Sequence, residues 1–180
     1  MNMMRFPKDY AATLPYIKDM NRVESNYYEG QRILEYPEKD TADLLWITVN
    51  SKGYNLPTEI ETLINGFHYK VSRKLWKRKS RYKLLPFFSV IEQGNTCKSH
   101  FHGLLKINDL PEIKSIDEVI KIVRGVLNGF KEVNAKDSRS VKIVHVSTSE
   151  SLESYQNRLI YMLKESTHYY DPLFHYRTYD

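Results

Sequence analysis

Residues 83–107 read KLLPFFSVIEQGNTCKSHFHGLLKI, two apolar runs separated by Gly94, Asn95, Thr96 and Cys97. Each run has the length and the aromatic and β-branched content of a strand, and strands this close along the chain pair as an antiparallel hairpin. Pro86 has no N–H to give a ladder, so the first strand is expected to begin late or to lie where a missing donor is tolerated.

Upstream, DLLWITVNS (43–51) alternates Leu44, Trp46 and Thr48 with Leu45, Ile47 and Val49. Both sets are largely apolar, which predicts a buried central strand. Pro57 then suits the first turn of a helix, with Thr58, Glu59 and Glu61 near the positive end of its dipole. Ile60, Leu63, Ile64, Phe67, Val71 and Leu75 recur at helical spacing and predict one long amphipathic helix. Downstream, Asp109 and Pro111 are expected to open a second helix with Ile116, Val119, Ile120, Val123, Leu127 and Phe130 on one face. A polar loop over 134–140 and the strand SVKIVHVS follow, and Ser147 with Glu150 forms a possible capping box for a third helix over 150–166.

The order β, α, β, β, α, β, α predicts an α+β fold, a ferredoxin-like antiparallel sheet with helices packed on a face. Residues 1–42 have weak periodicity and are read as an N-terminal extension, 43–166 as the domain, and 167–180 as a tyrosine-rich C-terminal tail.

The 180 residues are 41% hydrophobic and 27% charged with seven Gly and seven Pro, which excludes collagen-like, low-complexity and wholly disordered classes. One cysteine cannot close an internal disulfide, so a reducing cytoplasm is the expected compartment. No stretch has the apolar core of a signal peptide or the roughly 20 residues of a membrane span. The net charge of +5 is concentrated: residues 70–83 hold Lys70, Arg73, Lys74, Lys77, Arg78, Lys79, Arg81 and Lys83 and no acid, leaving the remainder slightly acidic. Such a segment is either a solvated helix end or the footprint of a polyanion.

His100 and His102 flank Phe101 in the second hairpin strand. Residues i and i+2 of a strand project from one face, so both imidazoles can reach one metal ion while Phe101 packs on the other side. If the hairpin register places Glu92 opposite His100, two nitrogens and a carboxylate oxygen make a site for a divalent ion with positions left open. The alternative is a polar, half-exposed strand face. In the third helix, Leu152, Tyr155, Leu159 and Leu163 form the apolar stripe, and a rotation of about 100° per residue puts Tyr161 on the opposite side with Lys164 about 60° from it.

In order along 43–166, the WITVN strand, Glu92 followed by His100-Phe101-His102-Gly103, and LIYMLKE resemble the HUH endonuclease superfamily of rolling-circle replication initiators, conjugative relaxases and single-strand transposases. The resemblance implies a metal-dependent DNA nicking-closing enzyme. Tyr161 would attack a phosphodiester of single-stranded DNA to leave a 5′-phosphotyrosine, with Lys164 supporting the developing charge. His100, His102 and Glu92 would hold Mn2+ or Mg2+, with His145 as an alternative ligand.

A phenol ordinarily has a pKa of about 10, so attack near neutral pH starts with a handicap of about 4 kcal/mol that bound metal would help to offset. A single tyrosine in the motif favours a replication initiator over two-tyrosine enzymes. The basic stretch is then expected to contact an origin hairpin, Trp76, Tyr82 and the tail tyrosines to stack on unpaired bases, and unwinding to fall to a separate helicase. A nucleic-acid-binding module without catalysis, and a metal protein acting on small molecules, are the competing readings.

Overall fold

A computed structural model describes residues 5–14, 17–34, 43–53, 57–76, 84–93, 99–108, 110, 115–147, 152–163 and 169–175, with the backbone alone at 57, 93, 152–154 and 169–175. The elements are α1 (Lys8–Ala12), α2 (Met20–Ile33), β1 (Asp43–Asn50), α3 (Pro57–Trp76), β2 (Phe87–Gln93), β3 (His100–Lys106), α4 (Ile116–Leu127), β4 (Val141–Ser147), α5 (Leu152–Met162) and β5 (Tyr169–His175). The sheet is antiparallel in the order β4-β1-β3-β2-β5. Its β4-β1-β3-β2 portion, with α3 and α4 as crossovers, is the ferredoxin-like arrangement expected from the order of elements.

Strand alternation divides the core in two. One face of the sheet presents Leu45, Ile47, Val49, Phe87, Ile91, Phe101 and Leu105 to α3 and α4. The α3 stripe of Ile60, Leu63, Ile64, Phe67, Val71 and Leu75 is wholly buried there. His68 and Ser72, one turn apart on α3, grip the chain entering β2: His68 Nε2 donates to the Leu85 carbonyl at 2.7 Å, and the Leu85 N–H donates to Ser72 Oγ at 3.1 Å. β2 starts at Phe87, directly after Pro86, as the missing N–H requires. On β3, a Cβ at Gly103 would stand 2.5 Å from Phe87 Cε2, so glycine is what admits the Phe87 ring.

The other face presents Leu44, Trp46, Phe88, Val90, Leu104 and Val146 to a second core. Residues expected to form an extension supply much of it: Phe6, Ala11, Val23, Tyr27, Ile33 and Leu34 are all buried. The α2 stripe passes through Gly30 and Gln31, which weakens its apolar signal in sequence. Gly30 serves close approach, since a Cβ there would lie 3.1 Å from Leu159 and 3.4 Å from Phe88. The helices therefore cover both faces, and residues 1–42 are not merely an appendage.

Three further expectations are corrected. The tail reading of 167–180 gives way to β5, which pairs with β2 as an edge strand; Pro172 is tolerated because an edge residue needs only one ladder. α4 begins after Ser115, whose hydroxyl accepts from the Glu118 N–H at 3.2 Å while the Glu118 carboxylate accepts from the Ser115 N–H at 3.3 Å. This capping box supersedes Asp109 and Pro111 as the helix start, and both of those lie outside the described residues. Ser147 ends β4 and is five residues before the start of α5, too far to be its N-cap; Glu150 is outside the described residues.

Candidate metal centre

The hairpin register pairs Glu92 with His100, and β1 lies on the other side of β3 with Thr48 opposite His102. Glu92, His100, His102 and Thr48 consequently project from one face, the face covered by α5. Glu92 Oε2 is 3.1 Å from His100 Nε2, and Glu92 Oε1 is 3.7 Å from His102 Nε2. One donor atom from each of the three residues lies within 4.8 Å of the others.

Glu92 is 1% exposed, and a carboxylate so deeply buried needs compensating charge or hydrogen bonds. The His100 contact supplies part of this, and a divalent cation shared by the three side chains would supply the rest. Thr48 Oγ1 sits 3.0 Å from His102 Nδ1, which orients the ring and leaves Nε2 toward Glu92. An outer partner on the second ring nitrogen is what a ligating imidazole needs to keep its tautomer and direction. His100 is the more accessible imidazole, so the cluster opens on its side. These residues fit a divalent metal in number, chemistry and orientation.

Tyr161 reaches the same place from α5. Its neighbours Tyr155, Leu159, Ile160, Met162 and Leu163 are buried, while Tyr161 is 41% exposed, as the helical rotation predicts. Its ring is edge-on to His102 at 5.4 Å between centroids and to Trp46 at 6.1 Å. Trp46 itself stacks on His102 at 5.2 Å. Tyr155 is 1% exposed and belongs to the core, in agreement with its place in the apolar stripe.

His145 is not a further ligand. It follows the opposite strand parity, opposite Leu45 in the register, and its Nε2 lies 2.9 Å from Asp43 Oδ1. Lys164 lies outside the described residues, as do Lys77, Arg78, Lys79, Arg81, Lys83 and Tyr82. Lys70, Arg73 and Lys74 are on α3, across the sheet from the metal cluster. Trp76 is buried and offers no stacking platform.

Sequence reading missed two residues. Thr48 depends on the non-local β1–β3 register and has no local signal. Arg158 does have one, because it precedes Tyr161 by three residues and so shares its side of α5. Its guanidinium carbon is 5.4 Å from the centre of the Trp46 ring, and burial lowers its pKa from the usual arginine value. No ion pair to Arg158 is present among the described residues.

No protein-family model, curated protein or solved structure matches the chain. Among the described residues, no helix is long and apolar enough to cross a membrane. Fold and site together define an α+β protein with a ferredoxin-like sheet and a Glu/His/His cluster able to hold a metal ion.

Proposed function

We propose that the protein is a metal-dependent endonuclease and strand transferase that nicks single-stranded DNA through Tyr161, in the manner of a single-tyrosine HUH enzyme that starts rolling-circle replication. The observation that carries this reading is the approach of the Tyr161 ring to His102, within the cluster where Glu92, His100 and His102 converge. A divalent cation, Mn2+ or Mg2+, held by those three side chains supplies Lewis-acid polarisation of the scissile phosphate.

The chain's own residues account for the remaining requirements. Thr48 and Trp46 hold the His102 ring in place, and the Tyr161 ring rests against it from α5. In the transfer, the phenolic oxygen of Tyr161 forms a bond to phosphorus and the bond from phosphorus to the 3′ oxygen breaks. The phenolic proton ends on that oxygen, so the products are a 5′-phosphotyrosine and a free 3′-hydroxyl. Arg158 is placed to take the non-bridging oxygens, because a guanidinium engages phosphate through two parallel N–H bonds. It would act with Lys164, to which the family resemblance gives the same task.

The test uses a randomised pool of single-stranded oligonucleotides incubated with the protein and Mn2+, resolved on a denaturing gel. A covalent adduct is expected that disappears on chelation and in Tyr161→Phe, and whose DNA end maps to a 5′ phosphate. An undiminished adduct in Tyr161→Phe would place the nucleophile elsewhere. DNA affinity without any adduct would leave a binding module in place of an enzyme.

A further inference from the structure

The described part of the basic stretch faces away from the metal cluster and does not act alone. α3 and α4 border two adjacent clefts on the outer surface of the opposite core. One, of about 350 Å³, is flanked by Lys70, Arg73 and Lys74 of α3. The other, of about 530 Å³, is flanked by Lys121, Arg124 and Lys136. Gly125 lines both, and no carboxylate lines either.

The walls are well supported. Arg124 Nη1 donates to the carbonyls of Ala135 at 2.9 Å and Val141 at 3.5 Å, tying α4 to the loop before β4. Lys70 Nζ lies 4.4 Å from the centre of the Phe130 ring, which holds its stem along the cleft. A Cβ at Gly125 would meet nothing within 4 Å, so the ridge between the clefts is bare helix backbone. Two groups of cations thus flank a strip that carries no side chain.

We infer that this α3–α4 face binds the sugar–phosphate backbone of duplex DNA. The cations are spread over two clefts and do not converge on one point, which suits a line of phosphates better than one small anion. Tyr69 is the only aromatic side chain bordering the two clefts, whereas single-strand binding depends on successive stacked bases. A duplex offers phosphates outward and its bases are already stacked. The inference rests on the reading of DNA as substrate and extends it: the duplex part of an origin hairpin is held on one side of the sheet, and its single-stranded part passes the sheet edge to Tyr161.

Fluorescence anisotropy with a blunt duplex of about one to two helical turns tests this on the full chain across a salt series. Lys74, Lys121 and Lys136 are exposed, so Lys74→Ala/Lys121→Ala/Lys136→Ala is expected to fold normally. Its slope of log affinity against log salt should be shallower by about 2 to 3, given about 0.9 per lost contact, with affinity at low salt at least tenfold weaker. Gly125→Glu, which inserts a carboxylate into open space, should weaken duplex binding in the same way. Both variants should keep wild-type Mn2+ binding and wild-type adduct yield on a short single-stranded oligonucleotide.

Duplex affinity and salt slope unchanged in both variants, or a loss confined to single strands, would overturn the inference. So would a wild-type protein that does not bind duplex. Duplex binding that falls in the variants while the wild type forms no adduct upholds this surface and removes the nuclease reading. Adduct formation with variant-insensitive duplex binding does the reverse.

Discussion

The two faces of one sheet are built from alternate residues of the same strands and have opposite characters. On the α3–α4 side, β1 and β3 contribute Ile47, Val49, Phe101 and Leu105 to an apolar core. On the α5 side, the same strands contribute Trp46 and Leu104 and then, toward one end, Thr48, His100 and His102. The difference teaches how a reactive cluster is tolerated within a fold: the apolar face supplies the cohesion, so part of the other face can be given to polar side chains whose burial is costly unless partnered.

The apolar face is where a single substitution should do most damage to stability. Phe67 is fully buried, with its ring 5.8 Å from Phe87 and 6.4 Å from Phe101. Phe67→Ala is expected to cost about 3–5 kcal/mol in urea denaturation. A loss below about 1 kcal/mol would mean that this face is not the principal source of cohesion.

On the polar face, stability should depend on metal. Mn2+ at a hundredfold excess over its Kd should raise the unfolding free energy by about 2.7 kcal/mol. Glu92→Gln, which keeps the shape but removes the charge, should abolish that increment; an unchanged increment would exclude Glu92 as a ligand. Thr48→Val should leave the fold intact and weaken Mn2+ affinity about 10- to 100-fold by calorimetry, since it removes the group that orients His102. Equal affinity in the two proteins would reduce the Thr48 contact to packing.

The smallest effect returns to the apolar side. Burial lowers the pKa of His68 from its ordinary value, against the opposing influence of its bond to the Leu85 carbonyl. Because the folded pKa is the lower one, the unfolded chain takes up the proton first as pH falls. The His68 contribution is therefore complete above about pH 6.5 and declines below it, with a slope of at most about 1.4 kcal/mol per pH unit. His68→Gln should remove that component from the pH dependence of unfolding, and an identical profile in the variant would show that His68 does not set it.

Much of the candidate site was legible because it depends on short-range geometry. The spacing of His100 and His102 puts both on one strand face wherever the strand is placed, and the four-residue connection of the hairpin allows few registers, one of which sets Glu92 opposite His100. Tyr161 follows from helix rotation against a clear stripe. The α2 packing was hidden by Gly30 and Gln31, which occupy buried stripe positions without apolar side chains. β5 was hidden by Asp171 and Pro172, residues that argue against a strand until its place at the sheet edge is known.

By itself, the sequence determined the order of elements, the α3 and α4 stripes, the parity of Glu92, His100 and His102, and the outward turn of Tyr161. Backbone periods of 2 and 3.6 residues are local properties, which is why they can be read without coordinates. Only the tertiary structure decided that Thr48 stands behind His102, that Arg158 and Tyr161 meet Trp46, that residues 6–34 close the second core, and that Lys121 and Lys136 join the cations of α3. Those facts join segments up to more than 100 residues apart, and their pairing is selected by the packing of the whole core rather than by any local preference.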